Sequence, residues 1–310
     1  MRQITDTILM IRPVAFRMNE QTAVNNYFQA GLQLDQEEIN RRAQQEFDGF
    51  VRKLREAGVQ IIVVEDDETL DTPDSVFPNN WVTFHENGTA VLYPLFAENR
   101  RRERRGEVIE AVEAAGFLIR EVMDYTGAEE EEQFLESTGS MILDRVNEKA
   151  YCALSPRAGE EMLIEFCEDF EFTPVIFHAY QDVGGERRLI YHTNVMMCLA
   201  ETFAVICLDT IDDPQERRNV VRHLRSDGKE IIAISEVQMH RYAGNMLQVE
   251  GAGGQRYLVM SQSAHKTLRP DQITAIERHC RILSSDLETI ETCGGGSARC
   301  MMAEVFLPRK

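Results

Sequence analysis

The sequence predicts an α/β propeller: five strand–strand–helix–strand units, closed into a ring by the C-terminal strand. Three observations predict it. Five times, a helical stretch leads into a short strand rich in β-branched residues. Hairpin-like pairs of apolar runs stand between the successive helical stretches. The first unit lacks one strand, and an apolar run at the far end of the chain can supply it.

The elements follow in order. "IRPVAFRMN" (11–19) is read as the unpaired half of the first hairpin. "EEINRRAQQEFDGFVRKLREAG" (37–58) spaces apolar residues three and four apart, ends on glycine as helices prefer, and leads to "VQIIVVE". "NWVTFHENGTAVLYP" (80–94) is a hairpin whose "ENGT" is a strong two-strand turn signal. "RRGEVIEAVEAAG" then leads to "FLIREV" (117–122). The hairpin "GSMILDRVNEKAYCALS" precedes "RAGEEMLIEFCEDFEF" and the strand "TPVIFHA". "TNVMMCLAETFAVICLD" precedes "PQERRNVVRHLRSDG" and "KEIIAIS", and "GNMLQVEGAGGQRYLVMS" precedes "RPDQITAIERHC" and "RILSSDLETI". The last run, "CMMAEVFLP" (300–308), is the expected partner of the first, and its pairing would remove an exposed sheet edge. The expectation is one catalytic domain over residues 1–310.

Composition excludes several roles. A formal charge of −19 argues against a general nucleic-acid or acidic-lipid partner, since phosphate binding needs a positive surface. "NRRRERR" (99–105) is read as the solvated face of a helix rather than a basic patch. No apolar run reaches about 18 residues, and the first residues lack a signal-peptide pattern, so a cytoplasmic protein is expected. Seven irregularly spaced cysteines read as free thiols. No metal-ligand spacing and no phosphate or dinucleotide loop occurs, and "GAGGQ" lies in a hairpin, so neither metal nor cofactor is expected. A homodimer is compatible with the sequence.

Chemistry-bearing residues stand where the hairpins begin. Cys300 follows the glycines at 294–296; it is either an exposed nucleophile or a core cysteine after a flexible turn. His192 in "YHTNVMMCL" opens a unit as Cys300 does, and is either a general acid–base or a structural histidine. Glu136 in "FLESTGSMILD" stands just before its hairpin. Asp74, Asn79 and Asn80 in "DSVFPNNW", and Asn245 in "YAGNMLQVE", hold the corresponding places. Turn preference explains the asparagines but not Glu136 or His192. In a ring, these ends would converge on the axis.

Taken together, the five units, the glutamate, the strand-opening histidine and the Gly-rich terminal cysteine resemble the guanidino-group-modifying enzymes of the pentein fold. "GGGSARCM" is similar to the deiminase pattern Gly-Gly-Pro-Arg-Cys-Met, "FLESTGS" stands where that family has Leu-Glu-Gly-Gly-Asp, and "YHTNVMM" where deiminases have His-Leu-Asp. The resemblance implies Cys300 as nucleophile, His192 as general acid–base and Glu136 as the carboxylate that orients the substrate nitrogens. It implies a substrate-binding role for Asp74, Phe77, Asn80 and Asn194. Arg157 in "LSPRA" would hold a substrate carboxylate. Deiminases carry aspartates where this chain has Asn80 and Asn194. A guanidinium offers only donors, which suit carboxylates; a neutral ureido group offers an acceptor as well, which suits an amide. "DSVFPNNWVTF" and "LESTGSMILDR" also look most like the family's citrulline-hydrolysing branch. The implied reaction is hydrolysis of citrulline to ornithine, carbon dioxide and ammonia through a covalent cysteine intermediate. The alternatives are a guanidino deiminase, a dimethylargininase or an amidinotransferase with the same three residues, and a catalytically silent binding protein.

Overall fold

The computed structural model describes residues 1–310. Its sheets repeat one connection. β1 (Thr7–Arg12) runs parallel to β2 (Gln60–Glu65), reached through the helix Gln36–Glu56. β3 (Val82–Phe84) pairs antiparallel with β4 (Thr89–Leu92), which runs parallel to β5 (Glu121–Asp124) after the helix Gly106–Ala114. β6 (Met141–Asp144), β7 (Lys149–Ala153) and β8 (Thr173–Phe177) repeat this around the helix Glu160–Asp169. After an extra hairpin, β9 (Tyr180–Val183) and β10 (Glu186–Leu189), the pattern returns. β11 (Met197–Leu199), β12 (Phe203–Ile206) and β13 (Glu230–Ala233) enclose the helix Pro214–Ser226. β14 (Leu247–Glu250), β15 (Arg256–Ser261) and β16 (Arg281–Ser285) enclose the helix Pro270–Glu277. β17 (Ala303–Glu304) completes the first sheet against β1, pairing Ile8 with Glu304 and Leu9 with Ala303. The result is five small three-stranded sheets, not one closed barrel.

Apolar helix faces explain the packing. Ile39, Ala43, Phe47, Phe50, Val51 and Leu54, spaced three to four apart, bury one face of the first long helix. Asp35 caps its start by accepting from the Glu38 N–H. No helix is long and apolar enough to cross a membrane.

Two sequence expectations need correction. The first strand lies at Thr7–Arg12, not across 11–19. Pro13 has no N–H to continue the ladder, and the chain beyond it leaves the sheet. The strand expected at 117–122 begins only at Glu121; the Leu118 N–H is instead taken by the Pro308 carbonyl, so the C-terminal residues occupy that edge. The β9–β10 hairpin, turned on Gly184 and Gly185 with φ of 63° and 87°, is not among the hairpins that the sequence pattern picks out.

The connection has one consequence for function. A tight turn precedes the first strand of the second, third and fourth sheets: Pro78–Asn80, Ser137–Ser140 and Thr193–Val195. Hydrogen-bonded turns at 242–246 and 297–302 precede β14 and β17. The Ser137–Ser140 turn lies against both Pro78–Asn80 and Thr193–Val195.

Candidate active site

Glu136 and His192 meet directly. His192 Nε2 lies 2.7 Å from Glu136 Oε2, while Glu136 Oε1 accepts the Phe96 N–H at 3.0 Å. Both side chains are buried. Burial pushes the imidazole down to about 4, against the opposing pull of Glu136. Burial alone would raise the Glu136 carboxyl. Arg157, at 3.6 Å, then the His192 hydrogen bond and Arg100, at 3.9 Å, more than offset that and bring it to about 2. At neutral pH the pair is therefore carboxylate and neutral imidazole. An ionised carboxylate only accepts, so the imidazole proton sits on Nε2 and Nδ1 keeps its lone pair. Nδ1 faces Gly139, where a Cβ would lie 2.9 Å from it and 2.4 Å from Asn80 Nδ2. Only a residue without a side chain leaves room for both groups. Ser137, next to Glu136, is held at φ 47°, a conformation that favours glycine.

Cys300 sits in the turn before β17, its N–H bonded to the Ser297 carbonyl at 3.0 Å. It is buried, not exposed as the sequence reading allowed. Its sulfur receives the amide N–H of Asn194 at 3.4 Å and that of Asn245 at 3.2 Å. The three glycines before it have separate uses. Gly295, at φ 64°, ends the helix Glu288–Gly294 in the left-handed conformation. A Cβ on Gly294 or Gly296 would fall 2.8–2.9 Å from the Phe77 ring. Phe77 thus walls the cysteine turn.

Asn80 belongs to a third group. Arg100 Nη1 donates to Asn80 Oδ1 at 2.8 Å, and Asn80 Nδ2 donates to Asn79 Oδ1 at 3.1 Å. Arg100 forks onto Glu103 with two bonds of 2.9 Å and lies 3.9 Å from Asp74. The run 99–105 is therefore not a solvated helix face throughout: it is a 3₁₀ turn, and Arg100 is buried beneath it. Sequence reasoning missed this residue. The signal available was the Asp74 and Glu103 carboxylates, which need a cation once buried.

A strap over residues 19–30 closes the site. Asn19 and Thr22 bond Asp74 Oδ2, at 2.8 and 3.1 Å, and Asn26 and Gln29 reach the Gly294 carbonyl. Arg157 donates from Nε to Asn25 Oδ1 at 2.9 Å and from Nη2 to the Thr22 carbonyl at 2.8 Å, with its guanidinium 4.9 Å over the Tyr191 ring. Three buried polar atoms here lack partners: Asp74 Oδ1, Asn79 Nδ2 and Asn194 Oδ1. Isolated polar atoms in such a place are what a polar ligand would satisfy. The structure thus gathers Asp74, Phe77, Asn80, Glu136, Arg157, His192, Asn194 and Cys300 into one connected buried region. No cluster of three or more His, Cys, Asp or Glu side chains is placed to hold a metal ion.

Comparison with known proteins adds a family. The family model described as N,N dimethylarginine dimethylhydrolase, eukaryotic, matches residues 12–307. No curated protein matches the sequence. Among solved structures, the arginine dihydrolase ArgZ of cyanobacteria superimposes with a TM-score of 0.74 at 16% identity, over 98% of this chain and 41% of that one. The present chain thus spans about two-fifths of that protein. The ArgZ N-terminal domain alone, covalently bound to a reaction intermediate, gives 0.70 at 16% identity, over 97% and 99% of the two chains. A dimethylarginine dimethylaminohydrolase variant carrying an S-methyl-L-thiocitrulline adduct gives 0.64 at 16% identity, over 97% and 99%. The fold is the one these proteins share.

Proposed function

The chain belongs to the N,N-dimethylarginine dimethylhydrolase family, within the pentein superfamily of guanidino-modifying enzymes, and from that premise we propose that it is a cysteine-dependent C–N hydrolase whose substrate is citrulline. One observation carries the substrate: Asn80 is fixed as a donor. A guanidinium has no acceptor, so Arg100 can only bond the amide oxygen, and the Asn80 NH₂ must point the other way. Arg157 and Arg100 are matched there by the carboxyl groups of Glu136, Glu103 and Asp74, so the reading rests on hydrogen bonding rather than on net charge. A ureido oxygen needs an N–H donor, and the Asn80 amide supplies one.

In this reading, the Cys300 sulfur attacks the ureido carbon as its proton passes to His192 Nδ1. The tetrahedral adduct collapses, the bond from carbon to the ornithine nitrogen breaks, and His192 returns the proton to that nitrogen. Water, deprotonated by Nδ1, then displaces the sulfur from the enzyme-bound thiocarbamate. The released carbamate decomposes to carbon dioxide and ammonia. Glu136 holds the imidazole through Nε2 throughout and stabilises the imidazolium that forms. Arg157 is the group assigned to the substrate carboxylate, and the strap contacts it now makes would yield to that carboxylate. The five sheets are read as blades of one ring with this site at its axis. Support comes from the bridge between Phe84 of β3 and Val305 beside β17, and from Gln3, Leu143, Leu199, Leu247 and Glu304 lining one small cavity. A cytoplasmic location belongs to the same proposal, supported by seven cysteines that are all unpaired.

The test is a steady-state assay of the purified protein on citrulline, arginine, agmatine and methylated arginines, with products identified. Ornithine and ammonia from citrulline are expected. Turnover of arginine or methylarginines without citrulline would establish the second reading, a guanidino hydrolase, which the family's own description favours.

A further inference from the structure

We propose that Asn245 is a catalytic residue, whose side-chain N–H orients the Cys300 sulfur, stabilises the negative charge that forms on it when its proton leaves, and ties it to the turn that carries His192. The proposal rests on the reading of Cys300 as the nucleophile.

Asn245 is fully buried and makes three hydrogen bonds from one amide. Its Oδ1 accepts the backbone N–H of Arg299 at 3.0 Å. Its Nδ2 donates to the Asn194 carbonyl at 3.0 Å and to the Cys300 sulfur at 3.2 Å. The orientation is not free. A backbone N–H can only donate, so the amide oxygen must face Arg299 and the NH₂ must face the sulfur. Gly244 makes the close approach feasible: a Cβ there would lie 2.3 Å from the Val195 carbonyl oxygen. The segment is pressed onto the 193–196 turn, with Tyr242 held at φ 62° just before it.

The sulfur has a particular need for such a donor. In a common cysteine–histidine arrangement, an imidazolium stabilises the thiolate. Here the imidazole N–H is already given to Glu136 through Nε2. Both hydrogen bonds that Cys300 receives come instead from neutral amides, Asn194 and Asn245. Amides do not titrate, so this stabilisation persists while His192 Nδ1 takes and returns a proton. Asn194 shares the work and leaves its Oδ1 unpartnered. The Asn245 side chain has no such spare atom: its oxygen and its nitrogen both serve the cysteine turn, and the nitrogen also holds the neighbouring turn.

The test needs no substrate. Asn245→Asp keeps the shape and the bond from Arg299 but sets an acceptor charge against the sulfur and the Asn194 carbonyl. The rate of Cys300 alkylation by iodoacetamide, with the modified residue located by mass spectrometry, is followed against pH for wild type and variant. The expected result is an alkylation profile moved to higher pH by about one unit or more, a tenfold fall in thiolate at a given pH, with an unchanged far-ultraviolet spectrum. Asn245→Ser, which removes the amide without adding charge, carries the same measurement if the aspartate variant does not fold; its profile should also move up. A profile that superimposes on wild type in a folded variant would overturn the proposal and leave Asn245 a structural amide. If the profile moves but no ureido or guanidino compound is turned over, the role of Asn245 at the thiolate stands and the assigned reaction falls.

Discussion

Asn80 and Arg100 show how one residue sets the meaning of another. With Arg100 on its oxygen, Asn80 offers only N–H. Asn80→Asp would keep the Arg100 contact and turn a second oxygen towards the substrate. For citrulline, two acceptors would then face each other in a dry site, at a cost of about 1–3 kcal/mol. We expect a tenfold to hundredfold fall in kcat/KM for citrulline and a relative gain for arginine; an unchanged ratio would show that Asn80 does not read the substrate. Cys300→Ser should abolish turnover while leaving the urea midpoint near wild type, since one buried atom changes. Arg100→Met should instead destabilise the fold, by about 3–5 kcal/mol in urea titration, because it strands Glu103 and Asp74 in the interior. The sequence singles out His192 and Glu136 because turn preference does not explain a histidine or a glutamate at the start of a strand, and Cys300 because it follows three glycines. It does not single out Arg100, because a run of arginines reads as a solvated face until the fold shows which one points inward. Asn245 looked like a turn residue, and only its distance to the sulfur distinguishes it.

Among the elements, the turn before each first strand matters more than the strands themselves. Asn80, Glu136, His192, Asn245 and Cys300 come from five such places, so a repeated connection brings together residues far apart in sequence. The helices and most strands could be read from periodicity, since each buries one face. The boundary at Pro13 and the β9–β10 hairpin could not: the apolar character of 11–19 continues past the proline, and charged residues dominate 186–188. β17 is only two residues long, yet it completes the first sheet and follows the turn that holds Cys300. Deleting residues 301–310 removes that partner of β1 and the buried Met301, Met302, Val305, Phe306 and Leu307. The expected outcome is loss of the cooperative urea transition; a truncated chain that unfolds at the wild-type midpoint would show that β17 is dispensable to the fold.

For the whole molecule, the sharpest prediction concerns acid. Two buried imidazoles, His192 and His85, are held neutral: burial brings His192 down to about 4, and burial with Arg145 drives His85 well below its ordinary 6.5. In the unfolded chain both titrate near 6.5. As pH falls through that value, the unfolded state takes up protons that the folded state does not, so stability is full above about pH 6.5 and declines below it. Each imidazole contributes a slope of about 1.4 kcal/mol per pH unit. The decline from His192 continues until its folded value, about 4, is reached. Glu136 acts lower down: its carboxyl, brought to about 2 from 4.5, stabilises the fold above 4.5 and loses that contribution as pH falls through 2. The formal charge of −19 works the other way, since protonating surface carboxylates relieves repulsion, but those groups titrate mostly below pH 5. Between pH 7 and 5 the two imidazoles act against Glu103, whose carboxyl burial raises to about 7 and which therefore gains its proton first in the folded state, and against Asp74, Glu46 and Glu291, raised in the same sense. The urea midpoint is expected to fall over that interval, and His192→Asn should flatten part of the fall, although the variant leaves Glu136 with one partner fewer. A midpoint that rises towards pH 5 would mean that charge repulsion and the raised buried carboxyls outweigh the two buried rings.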